Sequence, residues 1–304
     1  MAKPRELRRR IRSVQNTRKI TKTMELVSTS KLKRAQDRVV GARPYAQALA
    51  EVMGDLYSPN LAERFPLLRQ PGRDGVRRVA LLLITSNRGL CGAFNANLIR
   101  EARRRLEDLA AQGAEAELHL VGKKGIGFFK FTRRTIASQR VDIGDRPTAA
   151  HAAEVVGPLM AQFEAGGLDA VDIVFAKFNS AVSTPPTTLR ILPVAPPDGG
   201  KVGKLEGTPS NRPTVQHSLN YILKPSAEAI LESLVPLYVR NQVYRALVET
   251  AAAEHGARRT AMKNATDAAG DMMDILQRTF NRARQGQITQ ELAEIVGGAE
   301  ALKG

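Results

Sequence analysis

Heptad patterns at both ends of this chain are the feature that most narrows what it can fold into. Near the N-terminus a 4,3 spacing runs through Leu7, Ile11, Val14, Arg18, Thr21, Glu25, Ser28, Leu32, Ala35, Val39, Ala42, Ala46, Leu49, Met53 and Leu56. Eleven of these fifteen positions are apolar, which describes a coiled-coil seam sustained over many turns. A helix of that length is a rod of roughly 75 Å. Pro44 sits inside the pattern without resetting its phase, so a kink or short break is expected there. At the other end, residues 237–304 contain no proline, enough for a helix of about 100 Å. There Tyr244, Val248, Ala251, His255 and Arg258, then Met262, Ala265, Ala269, Met272, Leu276, Thr279 and Ala283, alternate 3 and 4. The phase slips at Gly286 and resumes as Ile288, Leu292, Ile295, Ala299 and Leu302. Each seam needs a mate, and the simplest mate for each is the other, antiparallel, because the residues between them turn the chain around.

Those intervening residues have a different texture. Val79–Ile84 is a continuous apolar run of the kind that forms a buried parallel strand. Helical patterns cover residues 97–112, 122–131 and 148–165, and strand patterns cover 117–121, 134–141, 170–178 and 187–194. Alternating strands and helices imply an open, Rossmann-like α/β sheet of about five strands. The expected fold class is therefore α/β, a long antiparallel coiled coil with an inserted sheet domain. The expected division is an N-terminal shaft helix over 1–58, an α/β domain over 76–195, a Gly/Pro-rich mobile loop over 196–217 and a C-terminal shaft helix over 218–304.

Charge is uneven. Residues 1–43 hold 14 Lys/Arg against 3 Asp/Glu, a net +11 of the chain's +16. Such an arm calls for an acidic counterpart, whether nucleic acid, an anionic membrane or an acidic protein surface. Tryptophan is absent and aromatics are sparse, which argues against stacking of single-stranded nucleic acid. One cysteine, Cys91, can form neither an internal disulfide nor a cysteine-rich zinc site, and the four histidines show no HExxH spacing. No run of about 18 uncharged apolar residues is present, so no membrane insertion is expected. The basic start has no apolar stretch behind it and does not read as a secretory signal.

Few motifs point to catalysis. Residues 85–95 (TSNRGLCGAFN) follow a strand and open a helix, where α/β proteins hold phosphates. The segment lacks both GxGxxG and a GK[ST] ending, so a tight structural turn is the better reading. Residues 122–127 (GKKGIG) are equally weak, and no GxSxG, paired-carboxylate or Cys–His arrangement stands out. No cofactor and no metal are expected. Polar residues on the N-terminal seam, Arg18 to Ser28, weaken self-pairing and mark a candidate contact surface. The C-terminal helix also outruns its mate. Its apolar tip either folds back or sits in an apolar sleeve supplied by other chains, and the pattern favours the sleeve.

Residues 13–36 (SVQNTRKITKTMELVSTSKLKRAQ), the turn TSNRGLCG, residues 238–249 (YVRNQVYRALVE) and residues 281–302 (NRARQGQITQELAEIVGGAEAL) closely resemble the gamma subunit family of the F-type ATP synthases. The resemblance covers essentially the whole chain. It implies a central rotor shaft standing inside a hexamer of alpha and beta subunits. The α/β domain would form a foot that meets the epsilon subunit and the ring of c subunits in the membrane. It implies no catalytic site in this chain. It also implies that Arg18, Lys19, Lys22, Lys31 and Lys33 face acidic levers of the beta subunits, with Met24 in the position of the family's coupling methionine. Arg284, Gln285, Thr289 and Glu291 match a polar contact set near the top of the shaft, Ile288, Leu292 and Ile295 the bearing, and Tyr221 the c-ring contact.

The expected location is the cytoplasmic face of a bacterial inner membrane, as a peripheral subunit, the Met1 start favouring a bacterium. Asn87 departs from the family's usual Asp, Gly286 and Gln287 replace helix-favouring residues, and the insert with paired cysteines found in chloroplast members is absent. Two other readings stand beside this one: a basic coiled coil that binds nucleic acid, and a nucleotide-using α/β enzyme.

Overall fold

A computed structural model describes residues 4–56, 64–70, 75–194 and 227–301. In order the elements are α1 (Pro4–Leu56), a 3-10 turn (Pro66–Leu68), β1 (Arg78–Ile84), α2 (Phe94–Ala111), β2 (Glu115–Val121), α3 (Lys123–Phe131), β3 (Ser138–Arg140), α4 (Ala149–Glu164), β4 (Ala170–Ala176), β5 (Pro186–Leu192) and α5 (Ala227–Ala301). The described residues form two compact units, one drawn from residues 31–257 and one from residues 4–30 with 258–301. Both long helices contribute to both units.

The larger unit is built on a five-stranded sheet of order β3-β2-β1-β4-β5. β1 pairs in parallel with β2 and β4, and β2 with β3, while β5 closes the far edge antiparallel to β4. The continuous apolar run of β1 follows from burial on both faces. Ala80, Leu82 and Ile84 point into one core with Val156, Leu159 and Phe163 of α4. Leu81 and Leu83 point into the other with Phe94, Leu98 and Leu106 of α2. The long helices complete both cores. Met53 and Leu56 of α1 cluster with Leu231, Val235 and Val239 of α5 on the first face. Leu32, Ala35 and Val39 cluster with Val248, Ala252 and Ala253 on the second. Rising numbers on α1 meet falling numbers on α5, so the pair is antiparallel. Over 243–258 α5 is buried almost all round, as a helix between two partners must be.

The smaller unit is a helix pair. The Thr266 hydroxyl lies 2.8 Å from that of Thr21, and Arg18 lies beside Gly270. Paired numbers therefore sum to 287 or 288, again antiparallel, and Pro4 falls opposite residues 283–284. Beyond that point α5 has no helical mate among the described residues.

The N-terminal seam matches burial closely: Leu7, Thr21, Ser28, Leu32, Ala35, Val39, Ala46, Leu49, Met53 and Leu56 are all buried. α1 runs unbroken through Pro44, where a kink or short break was expected. Pro44 is exposed while Ala42, Ala46 and Leu49 keep the seam in contact, and this packing outweighs the one missing backbone bond. The C-terminal seam is shifted. After Met262 the covered stripe passes through Thr266, Ala269, Met273, Leu276, Phe280 and Ala283, and Met272 is exposed. Both assignments alternate 3 and 4, and in a stretch so rich in small residues only packing chooses between them. The strand expected over 134–141 is shorter than anticipated, Ser138–Arg140. α5 begins at Ala227 and passes through Pro236. The expected loop over 196–217 and Tyr221 lie outside the described residues.

Candidate contact surfaces and polar anchors

The turn after β1 has the location of a phosphate site, but its acceptors are turned to the N–H groups that open α3. Asn87 Oδ1 accepts from Lys123 N at 3.0 Å, Ser86 O from Lys124 N at 3.1 Å, and Thr85 Oγ1 from Gly125 N at 2.9 Å. The first N–H groups of α3, which would greet an anion, are thus capped by the protein itself. Gly122 has φ +100°, and a Cβ there would stand 2.1 Å from Thr85 O, so glycine lets α3 start hard against the end of β1. Cys91 is buried, with its sulfur 3.1 Å from Asn95 Nδ2. Together these contacts make a structural turn.

Asn87 does more. Its Nδ2 donates to Val141 O at 3.0 Å and to Ile143 O at 2.8 Å. An aspartate, having no donor when ionised, could not make either bond. Two residues on, Asp145 Oδ2 accepts from Lys31 Nζ at 2.5 Å, its Oδ1 lies 3.7 Å from His255 Nε2, and its carbonyl accepts from Arg38 Nη1 at 3.1 Å. Burial would raise the Asp145 carboxyl. The Lys31 hydrogen bond and the charges of His255, Lys31 and Arg88 together outweigh that and hold it below the usual carboxylate range.

Another anchor is Asp172, 1% exposed on β4. Arg105 of α2 reaches its Oδ2 through Nε (2.8 Å) and Nη2 (2.6 Å), and Arg190 of β5 reaches its Oδ1 at 2.8 Å. The cavity of about 580 Å³ beside it is lined by Arg104, Arg105 and Arg190 against Glu101, Asp108 and Asp172, so its charges balance and no net cation faces a ligand there. The end of β4 is tied to α5, with Thr250 Oγ1 accepting from Ala176 N and Glu249 Oε2 from Phe178 N. His119 is buried on β2. Its Nδ1 is 2.7 Å from Ser138 Oγ and its Nε2 has no hydrogen-bond partner. Desolvation pushes this imidazole below its ordinary pKa, and Glu117 offsets part of that.

The residues carried over from the family motifs are placed as follows. Arg18, Lys19 and Lys22 are exposed, Lys22 pairing with Glu25 at 3.1 Å, and Met24 is half-buried. In the larger unit, Lys33 is exposed beside Asp37 at 2.9 Å, whereas Lys31 is half-buried on Asp145. Arg284, Gln285, Thr289 and Glu291 are exposed. So is the apolar set of the α5 tip: Ile288 at 49%, Leu292 at 58%, Ile295 at 68% and Val296 at 60%. Four exposed branched aliphatics within nine residues form a surface that calls for cover. Asp145, Arg38 and Asp172 were not singled out by the sequence reading. A lone aspartate inside the apolar run AVDIVFA was the available signal for the last, since such a charge is stable only when paired.

Among the described residues no group of three or more His, Cys, Asp or Glu could hold a metal ion. No helix there is long and apolar enough to cross a membrane.

The family model described as ATP synthase matches residues 3–302. The ATP synthase gamma chain of Gemmatimonas aurantiaca is 61% identical over 304 residues, covering all of both chains. That of Moorella thermoacetica is 43% identical over 303 residues, again covering both chains in full. Among solved structures, a chain of the Euglena gracilis mitochondrial ATP synthase (OSCP/F1/c-ring) aligns with TM-score 0.66 at 20% identity, covering 98% of this chain and 94% of that one. A chain of the Tetrahymena thermophila central stalk/c-ring structure aligns with TM-score 0.57 at 23% identity, covering 81% and 99%.

Proposed function

The chain belongs to the ATP synthase gamma chain family, and from that premise we propose that it works as the central shaft of a rotary ATP synthase with no catalytic site of its own. The observation that carries the mechanical reading is the unmated tip of α5. A helix that exposes Ile288, Leu292, Ile295 and Val296 past the end of its partner is built to be enclosed by other chains.

In this reading the tip turns within an apolar bearing formed by the alpha and beta subunits. Arg284, Gln285, Thr289 and Glu291 meet that hexamer just below. Arg18, Lys19, Lys22, Met24 and Lys33 present a basic face to acidic levers of the beta subunits. A shaft whose faces differ makes different contacts with three equivalent partners, and such differential contact is what shifts each partner between affinities. The α/β domain carries the foot, with the epsilon subunit and the c-ring as partners, and Tyr221 as the c-ring contact. The domain division proposed is the shaft helices over 1–58 and 218–304, the α/β domain over 76–195 and the connecting loop over 196–217. The complex sits at the cytoplasmic face of a bacterial inner membrane, with this subunit peripheral. Family membership accounts for the basic arm, and the nucleic-acid reading gains no support from it.

The test is reconstitution with alpha and beta subunits. The expected result is a stable complex whose ATP turnover depends on this chain, in which Lys22→Glu slows rotation and tip truncation before Ile288 weakens assembly. Unchanged turnover without the chain, and no complex with it, would overturn the proposal.

A further inference from the structure

A shaft that turns with its foot needs both helices fixed to the sheet against twist, and apolar packing alone is non-directional. α5 is fixed directly, through Thr250 and Glu249 at the end of β4. For α1 the connection runs through the segment between β3 and α4. Asn87, at the end of β1, holds that segment by the carbonyls of Val141 and Ile143 and also caps α3. Two residues later Asp145 takes hold of α1 twice, with its carboxylate on Lys31 and its carbonyl on Arg38. The other carboxylate oxygen lies 3.7 Å from the buried His255 of α5. Lys31 is the first residue of the larger unit and His255 the third from its last, so these contacts grip both helices at the ends of their stretches within it.

We infer that Asp145 is a positioning residue for energy coupling, part of a strap from Asn87 to Lys31, Arg38 and His255 that fixes the larger unit's stretches of α1 and α5 to the sheet. The inference rests on the shaft reading above, and it moves Lys31 from the partner-facing set to the strap. Asp145 touches no substrate. It acts by holding α1 and α5 at one angle while load passes between the sheet and the helices. A charge-assisted bond in a half-buried site is well suited to this, being directional and shorter than a neutral one. The strap also gives the Asn at position 87 a purpose, since its two amide donors are what hold the segment carrying Asp145.

The experiment uses the whole membrane-bound complex in inverted vesicles, reading ATP hydrolysis and ATP-driven ion pumping side by side. Asp145→Ala is expected to keep hydrolysis within about twofold while pumping per ATP hydrolysed falls at least threefold. The paired exchange Lys31→Asp with Asp145→Lys is expected to recover at least half of the lost ratio, which a merely structural lesion would not. If Asp145→Ala reduces assembly, Asp145→Asn serves in its place, keeping shape and losing charge, and its ratio is expected to fall at least twofold. An unchanged pumping ratio in an assembled variant would overturn the inference, as would failure of the paired exchange to restore it. Failure of the wild-type chain to support coupled pumping would instead overturn the shaft reading itself.

Discussion

Residues 4–30 and 31–56 lie on one unbroken helix, yet they are two different materials. The second stretch offers Leu32, Ala35, Val39, Leu49, Met53 and Leu56 to cores that also contain sheet and helix residues. The first carries Arg18, Thr21, Glu25 and Ser28 at its seam positions, with the Thr21 hydroxyl meeting that of Thr266 across the pair. α5 repeats the contrast, buried almost all round over 243–258 and covered on a narrow stripe from 262 to 283. The difference teaches that helix continuity and helix anchoring are separable. Backbone hydrogen bonds carry each helix through both regions, whereas tertiary burial is concentrated in one of them.

The comparison can be broken most sharply in the larger unit. Met53 is 1% exposed, and Met53→Ala should cost about 3 kcal/mol by lost transfer energy and cavity formation. A thermal melt of the isolated chain measures this, and a cost near zero would mean that the second stretch is no better packed than the first. Thr266→Val should cost about 1 kcal/mol, the value of one hydrogen bond within a partly exposed seam. Thr21 keeps its own bond to Arg18 O in that variant, so a cost comparable to Met53→Ala would show the polar layer to be as strong as the apolar core.

Gly286→Ala should act in the opposite direction. Nothing lies within 4 Å of a Cβ at this helical position, so up to about 1 kcal/mol of helix propensity is recovered. Slower amide exchange around residues 282–290 would report it. Leu292→Ser on the exposed tip should change the melt of the isolated chain by no more than about 0.5 kcal/mol. The same substitution should weaken assembly with alpha and beta subunits. A large effect on the isolated chain would show that the tip is covered by its own chain.

Acid distinguishes two of the polar groups by sign. The folded-state pKa of Asp145 is lowered, so its contribution is present above the unfolded value of about 3.9 and fades as pH falls through the folded one. The stability gap between wild type and Asp145→Asn should therefore close in that range. For His119 the lowered pKa means that the folded state resists protonation. Stability should be full above the unfolded value of about 6.5 and fall as pH drops below it. His119→Leu should flatten that slope in a pH series of melts. An unaltered slope would mean that protonation of this buried nitrogen is not being resisted.

Much of the fold was legible because its signals are local. Val79–Ile84 reads as a strand covered on both faces, and residues 148–165 read as a helix whose Thr148 caps it through His151 N. The N-terminal seam could be followed residue by residue because its large apolar side chains recur at one spacing. The C-terminal seam could not, since Ala265 and Thr266, or Met272 and Met273, offer neighbouring choices with nearly equal apolar character. The polar anchors were less legible still. Asp145 lies 114 residues from Lys31, and nothing in the composition around either one names the other.

What the sequence by itself determined is what repeats: two long seams, a sheet of strands alternating with helices, a basic arm and an apolar tip. These follow from periodicity and charge, which each segment carries in its own residues. Only the tertiary structure decided which stripe of α5 is covered, that the turn after β1 caps the first N–H groups of α3, and that Lys31 binds Asp145. Each of these depends on which distant group arrives within hydrogen-bond reach. That is settled by packing two helices and a sheet at once, and no window of sequence contains it.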